Sequence, residues 1–243
     1  MSATTAVFKA EARLFRREPG VLFWVIGFPP LLLVILGSIP SFRDGSGGFR
    51  LIDVYVPILV LVALVVAGLQ TMPPVLTGYR ERGILRRMSA TPVRPAALLA
   101  AQMGLNGAAA VVSALLCLAI GRVAFDVPLP QQAFGYVLAL LLTAAAALAL
   151  GALVSALART AKIASAIGSV VFFPSLFCAG LWIPVRSMPD LMAHIVQLTP
   201  FGAAASALDQ ASTGHWPDWS HLGVLAAWAV VLTAVAARWF RWE

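Results

Sequence analysis

The sequence predicts an all-α integral membrane protein with six transmembrane helices and both termini in the cytoplasm. Three observations lead to this prediction. Of the 243 residues, 60% are hydrophobic and only 11% are charged, whereas soluble domains carry about 25% charged residues. The apolar residues fall into six long segments, each close to the roughly 20 residues that a helix needs to cross a bilayer. Basic residues are concentrated in alternate loops between these segments. We therefore expect a single transmembrane domain without a separate soluble one.

The asymmetry of the charges sets the predicted orientation. Thirteen of the 17 lysines and arginines lie before the first segment, between the second and third, between the fourth and fifth, or after the sixth. The opposite side holds only four of them, together with six of the ten acidic residues. Basic loops stay in the cytoplasm, so the pattern identifies the cytoplasmic side. Contact with anionic lipid then explains the net charge of +7, and no nucleic-acid partner is predicted.

Residues 5–18 are too polar to span and are predicted to form an amphipathic helix on the membrane surface. Four basic residues share one face of this helix at about 100° per residue, namely Lys9, Arg13, Arg16 and Arg17. That face is expected to meet lipid phosphates. Glu11 interrupts the apolar face, which is unfavourable in lipid. Either Glu11 contacts a protein neighbour, or the helix is solvated and its pattern is imperfect.

The apolar pattern also gives the bounds of the spans. They are predicted at about 21–39, 54–76, 96–120, 133–157, 163–182 and 220–238. Pro29 and Pro30 are expected to kink the first span, because each removes a backbone donor. Gly151 and Ser155 form a small-xxx-small pair, which permits close helix packing. Residues 184–212 contain three prolines and are too short and broken to span, so we interpret them as short external helices.

Several chemistries are excluded by what the sequence lacks. Neither of its two lysines, Lys9 and Lys162, follows a glycine, so the phosphate-binding loop of nucleotide-binding proteins is missing. The three histidines lack metal-ligand spacing, and no metal is predicted. No grouping of Ser, His and Asp stands out, so the chain is not expected to be an enzyme. Cys117 and Cys178 lie in apolar segments and are predicted to be two buried thiols.

Charged residues are also missing from the middle of every predicted span. Carriers driven by an ion gradient place carboxylates there because their mechanism requires them. Milder polar residues do lie within the spans, and they either line a substrate route or only bond across helices. If this chain moves a solute uphill, the energy is expected to come from another subunit.

The most distinctive stretch is Y-R-E-R-G-I-L-R-R-M-S-A-T-P-V-R-P, at residues 79–95. It is predicted to form a short helix with apolar residues on one side and arginines around the rest. Thr91 should end this helix, because a residue before proline disfavours the helical region. The segment either transmits force to a partner as a rigid knob, or only sets the orientation with snorkelling arginines.

Three stretches resemble the ABC type-2 transporter permease family, in particular its small bacterial drug-resistance and antibiotic-efflux permeases. They are E-A-R-L-F-R-R-E-P at 11–19, R-E-R-G-I-L-R-R-M-S-A-T-P-V at 80–93, and G-L-W-I-P-V-R-S-M-P-D-L-M followed by L-T-P-F-G within 180–202. Together with the number of spans, the resemblance covers essentially the whole chain. Gly202 departs from the family pattern, in which threonine is expected more often.

The resemblance implies a division of labour between subunits. Residues 79–94 would be a coupling helix seated in a groove of a separate ATP-binding-cassette ATPase, which would hold ATP and Mg. The coupling residues would be Glu81, Arg82, Gly83, Arg86, Arg87, Thr91 and Pro92. Glu81 would pair with a basic group of the ATPase or of the N-terminal helix. That helix would be a connecting helix, and its functional residues would be Glu11, Arg13, Arg16 and Arg17.

The implied activity is export of a drug, an antibiotic or a lipid across the bacterial inner membrane by two permease copies and two ATPases. The substrate would pass between the copies, near the second and fifth spans. Candidate residues on this path are Gln70, Asn106, Ser169, Phe172 and Phe173. Two other interpretations stay open from the residues alone: an ion-coupled carrier or channel, and a membrane scaffold that transports nothing.

Overall fold

A computed structural model describes residues 3–43, 50–88 and 95–239. Across these ranges the chain is helical and has no strand. Six helices are long and apolar enough to cross a membrane, and we call them the first to sixth spans: Pro19–Gly37, Leu51–Glu81, Pro95–Phe125, Ala133–Leu157, Ala161–Cys178 and Trp219–Trp239. The other helices are Ala3–Phe15, Pro40–Arg43, Ile84–Met88, Val185–Ser187, Asp190–Gln197 and Pro200–Ser212. The predicted all-α class and number of spans are confirmed for the described residues.

The second span is longer than the predicted 54–76. Its helix continues to Glu81, because no residue in this stretch stops it before Gly83, where a φ of +65° ends the helical path. Residues 79–81, which the sequence assigned to the connector, therefore belong to the span. A separate short helix, Ile84–Met88, follows the turn.

Two other span ends differ from the prediction for local reasons. The third span continues to Phe125, beyond the predicted 120, and ends before Asp126, whose φ is +54°. The fifth span ends at Cys178, before the predicted 182, because the chain turns at Gly180 with a φ of +86°. A positive φ is incompatible with continuing an α-helix.

Two π-helical segments interrupt the first and second spans, and each precedes a pair of prolines. Phe23–Gly27 comes just before Pro29–Pro30, and Ala67–Thr71 comes just before Pro73–Pro74. A proline lacks the N–H and crowds the carbonyl four residues earlier. The regular ladder of hydrogen bonds cannot continue there, and a wider turn relieves the crowding. The disruption predicted at Pro29–Pro30 thus takes the form of a π-helical turn.

The second span forms the centre of the bundle. In its most apolar stretch 89% of the residues are buried, compared with 22–33% in the first, third, fifth and sixth spans. A Cβ added to Gly151 of the fourth span would overlap the carbonyl oxygen of Gly68. A Cβ added to Gly168 of the fifth span would lie 2.6 Å from the carbonyl oxygen of Leu69. The backbones of three spans therefore meet beside the second π-helical segment, as the small residue at 151 predicts.

The two ends of the bundle differ in charge. The N-terminal helix, Ile84–Met88 and the end of the sixth span gather at one end, where Leu85 and Ala236 share an apolar cluster. We call this the basic end, because its described basic residues include Lys9, Arg13, Arg16, Arg17, Arg80, Arg82, Arg87, Arg159, Lys162 and Arg238. The alternation of basic loops along the sequence is therefore an alternation between two ends of the structure.

Arg50 fastens two spans together at the end opposite the basic end. Its guanidinium donates to the two carboxylate oxygens of Asp53 at 2.7 and 3.1 Å. It also donates to the carbonyl oxygens of Phe125 and Asp126, at 3.0 and 3.1 Å. The start of the second span is thereby tied to the end of the third span by a single side chain.

Residues 184–212 form short helices, as their prolines predict. Asp190–Gln197 and Pro200–Ser212 meet at an angle of 104°, and by length and composition this bent pair is also able to form one broken span. Arg186 forms an ion pair with Asp209 at 3.3 Å, which joins the loop after the fifth span to the second of these helices. Both cysteines are free: Cys117 is buried, as predicted, whereas Cys178 at the end of the fifth span is only half-buried.

Candidate functional site

The candidate coupling residues lie at the basic end, just after the second span. Glu81, Arg82 and Arg87 are exposed, and the guanidinium of Arg87 donates to the carbonyl oxygen of Arg82 at 3.2 Å. Gly83 makes the turn between them. Thr91 and Pro92 lie outside the described residues, as does the side chain of Arg86. In the described part of the chain, Glu81 forms no ion pair with the N-terminal helix.

Leu85 anchors this exposed segment in the bundle. Residues 82–88, which we call the arginine knob, expose two arginines, but Leu85 is only 1% exposed. Its side chain belongs to an apolar cluster drawn from the second, third, fourth and sixth spans, which contains Met72, Leu76, Leu98, Leu148, Ala152 and Ala236. A well-packed leucine resists displacement, because moving it would open a cavity. Force applied to the arginines of the knob would therefore act first on the second span, against which the helix Ile84–Met88 packs.

Arg80 caps the fourth span. Its guanidinium donates to the carbonyl oxygens of Ser155 and Ala158, at 3.1 and 2.6 Å. These carbonyls belong to the last turn of the helix and to its C-cap, where backbone acceptors lack partners within the helix and carry partial negative charge. Arg80 is half-buried, so this arginine of the distinctive stretch holds the second and fourth spans together.

Glu11 joins the N-terminal helix to two spans. It is only 7% exposed, and its carboxylate accepts hydrogen bonds from the hydroxyl of Tyr79 at 2.9 Å and from the amide of Gln102 at 2.6 Å. Of the two possibilities left open by the sequence, the structure thus shows contact with protein neighbours. Burial raises the pKa of Glu11 above its ordinary value, and the two hydrogen bonds offset part of that rise. The helix predicted at 5–18 is Ala3–Phe15 in the structure, so Arg16 and Arg17 follow its end. Both are exposed, as is Arg13 in its last turn.

Glu11→Gln is expected to remove a pH dependence of stability. The folded chain holds the Glu11 proton more tightly than the unfolded chain, so the stability that this group supplies is present below the ordinary pKa of 4.5 and is lost as pH rises through the folded pKa. Melting temperatures of the purified chain between pH 4 and pH 8 should therefore decline less in Glu11→Gln than in the wild type.

Two further variants separate the charge of Glu11 from its hydrogen bonds. Glu11→Ala leaves Tyr79 and Gln102 without their acceptor and should cost about 1–3 kcal/mol at every pH. Glu18→Gln, at an exposed position, should keep the wild-type profile. If Glu11→Gln tracks the wild type across the whole range, the carboxyl does not titrate as its burial requires.

The candidate substrate residues lie close together only in part. Gln70 is in the second π-helical segment, and Ser169 follows Gly168, where the fifth span touches the second. Phe172 and Phe173 lie one turn farther along the fifth span with ring centres 5.6 Å apart, and Phe173 is 58% exposed. Asn106 is instead buried, and its amide is bonded to neighbouring side chains and backbone.

The sequence analysis missed three residues that hold the basic end together: Tyr79, Arg80 and Gln102. A signal for Tyr79 and Arg80 was present in the sequence. They follow Met72 by seven and eight residues, which places them on the same helix face as the buried residues Met72 and Leu76. This spacing indicates that the buried face continues to residue 80, beyond the predicted end of the span at 76. Among the described residues, no group of three His, Cys, Asp or Glu is placed to hold a metal ion.

Comparisons with known proteins identify the family of this chain. The sequence profile of a family described as "ABC-2 type transporter" matches residues 2–211, which includes the N-terminal helix, the arginine knob and five of the six spans. A protein of Bacillus subtilis (strain 168) named "Putative transport permease YvfS" is 26% identical over 181 residues, which cover 73% of this chain and 72% of the relative. Since the profile extends over most of the chain, this protein belongs to the ABC-2 type transporter family.

Proposed function

We propose that this chain is the permease subunit of an ATP-binding-cassette exporter that moves a hydrophobic or amphipathic substrate with energy from a separate ATPase. Membership of the family supports a transport permease. The observation that carries the finer proposal is the arginine knob, which exposes Arg82 and Arg87 while Leu85 is buried in an apolar cluster that includes side chains of four spans. A partner that moves these arginines would therefore move the bundle with them.

The energy source belongs in the partner because the described spans offer none. No Asp, Glu, Lys or Arg lies near the middle of any described span, so a gradient-driven proton or ion has no carboxylate to bind in the membrane. ATP drives transport if it favours one permease conformation over another through different contacts in each. The knob is the exposed surface best placed to make those contacts.

The proposed assembly contains two permease copies and two ATPases in the bacterial inner membrane. The ATPase would offer carboxylates to Arg82 and Arg87 and a basic group to Glu81. The N-terminal helix would lie on the cytoplasmic leaflet against anionic lipid. It exposes Lys9 and Arg13, and the turn after it exposes Arg16 and Arg17. The substrate, a drug, an antibiotic or a lipid, would pass between the copies near Gln70, Ser169 and the phenylalanine pair at 172 and 173.

The double variant Glu81→Ala/Arg87→Ala tests the coupling role. Co-expressed with its ATPase partner, it should lose about tenfold in ATP-dependent efflux, because removing charged contacts at a coupling surface changes the coupling free energy by about 1–3 kcal/mol. Both side chains are exposed, so the melting temperature of the isolated permease should stay unchanged. Arg122→Ala, an exposed arginine at the opposite end, is the matched control and should retain efflux.

Three results would contradict the proposal. If ATPase association and efflux are unchanged in the double variant, the knob does not couple the subunits. If transport collapses when the proton gradient is removed while ATP is kept high, the chain is an ion-coupled carrier. A complex in which no substrate stimulates the ATPase would instead favour a scaffold.

A further inference from the structure

The third span carries a line of polar side chains that contacts three different helices. Gln102, Asn106 and Ser113 lie on one face, since their spacings of four and seven residues return to the same side of a helix. Gln102 donates to Glu11 of the N-terminal helix at 2.6 Å. Asn106 faces Thr71 of the second span at 2.7 Å, and Ser113 donates to the carbonyl oxygen of residue 26 in the first span at 3.3 Å. Two of these contacts end on the π-helical segments.

The hydroxyl of Thr71 has one proton and two possible acceptors. The side-chain oxygen of Asn106 lies 2.7 Å away, and the carbonyl oxygen of Ala67, in its own helix, lies 3.0 Å away. The amide nitrogen of Asn106 is 2.9 Å from the carbonyl oxygen of Gln102 and must donate to it. The Asn106 oxygen is thus left as an acceptor, so the Thr71 proton is directed to Asn106 in this conformation.

Thr71 also lies where the regular hydrogen-bond ladder of the second span is interrupted. It is the last residue of the π-helical segment Ala67–Thr71. Pro73, two residues later, has no N–H to donate to the carbonyl oxygen of Leu69, as an α-helix would require. The carbonyls of Gly68 and Leu69 point at Gly151 and Gly168 of the neighbouring spans. A change of shape in this short segment would therefore be passed directly to the fourth and fifth spans.

We propose that Thr71 is a two-position switch that locks the second π-helical segment to the third span. In the locked position its hydroxyl donates to Asn106, as in this structure. In the released position it donates to the Ala67 carbonyl, so the donor stays satisfied while the two spans separate, which keeps the barrier low. If the proposed export function holds, release of this lock is the step by which movement of the basic end reshapes the segment beside the substrate path.

The lock is tested first without any ATPase, by hydrogen exchange of the full chain in lipid nanodiscs. Thr71→Val removes the hydroxyl at nearly constant volume, and Asn106→Leu removes the acceptor on the third span. In either variant the backbone amide hydrogens of Ala67–Thr71 should exchange about fivefold faster than in the wild type, which corresponds to the loss of one hydrogen bond. Thr71→Ser keeps the hydroxyl and should restore the wild-type rate.

Thr143→Val is the matched control. Thr143 is fully buried in the fourth span, and its hydroxyl donates to the carbonyl oxygen of Ala139 at 2.6 Å without a partner on another described helix. Exchange in Ala67–Thr71 should be unchanged in this variant. Equal acceleration by Thr71→Val and Thr143→Val, or no acceleration by Thr71→Val, would overturn the lock.

Transport by the full complex then separates failure of the lock from failure of the export function. With the lock broken, ATP hydrolysis should continue while efflux per ATP falls about fivefold in Thr71→Val. Proportionate loss of both activities would overturn the switch as a coupling element. If the wild-type complex exports nothing with ATP, while Thr71→Val still accelerates exchange, the proposed function fails and the lock stands.

Discussion

Replacing Gly151 by alanine is expected to force the second and fourth spans apart and to destabilise the chain by about 3 kcal/mol, the upper part of the range for overpacked cores. The added methyl would overlap the carbonyl oxygen of Gly68 and lie 3.1 Å from the terminal carbon of Met72. Met72 is flexible and able to move, but the carbonyl is backbone at the centre of the bundle. Relief therefore requires a shift of an entire helix.

The measurement is the melting temperature of the purified permease, together with its yield in the membrane. Gly223→Ala is the control, because this glycine lies in the sixth span with no heavy atom within 4 Å of an added Cβ. It should be neutral or stabilising by up to about 1 kcal/mol, since alanine is the better helix former. A Gly151→Ala protein as stable as the wild type would show that the two backbones are not in close contact.

Replacing Arg80 by methionine should cost about 3 kcal/mol, because two hydrogen bonds from a charged donor are lost and two carbonyls at the end of the fourth span lose their partner. Arg80→Lys should recover less than half of this loss. A single ammonium on a flexible stem does not reproduce the planar fork that reaches Ser155 and Ala158 together.

Arg82→Met provides the comparison for Arg80, since Arg82 is two residues away and exposed. Its melting temperature should match the wild type, whereas its ATP-dependent efflux should fall if the knob couples the subunits. The opposite result, in which Arg82→Met unfolds the chain and Arg80→Met does not, would reverse the roles that the structure assigns to these two arginines.

The spans could be predicted from the sequence because a lipid-embedded helix requires a long segment of mostly apolar residues. Their ends could not, since these depend on neighbours. The second span continues past its last apolar residues because Tyr79 donates a hydrogen bond to Glu11 and Arg80 donates to the carbonyl oxygen of Ala158 at the end of the fourth span. In the described part of this arginine-rich stretch, Arg80 therefore serves packing while Arg82 and Arg87 are exposed. Composition alone does not distinguish them.

Pro29 and Pro30 predicted a disturbance of the first span but not its form, and no disturbance was predicted at Pro73 and Pro74 of the second span. A proline leaves one backbone carbonyl of the helix without its N–H donor. The helix accommodates this by a kink, by a bound water or by a π-helical turn, and the outcome depends on what packs against the freed carbonyl. In the second span that choice is set by Gly151 and Gly168, which come from distant parts of the sequence. The contact of Glu11 was open for the same reason, because its two partners lie 68 and 91 residues away.

The departure at Gly202 from the expected threonine also has a steric explanation. A Cβ at this position would overlap the carbonyl of Val196, which lies just across the 104° bend between the two short helices. Thr199 caps the second helix by accepting from the amide of Gly202 at 3.2 Å and donates to the Val196 carbonyl at 2.6 Å. The tight corner thus requires glycine in this chain.

Arg50 makes the far end of the second and third spans a pivot. Two hydrogen bonds from Arg50, to the carbonyl oxygens of Phe125 and Asp126, hold the two helices together there, and two more to Asp53 fix its guanidinium in place. A tilt of the second span about this point would act over its 31 residues, which extend roughly 45 Å at 1.5 Å per residue. With such a lever, a tilt of about 5° displaces the opposite tip by about 4 Å. A small angular stroke at one side of the membrane is thereby magnified at the other.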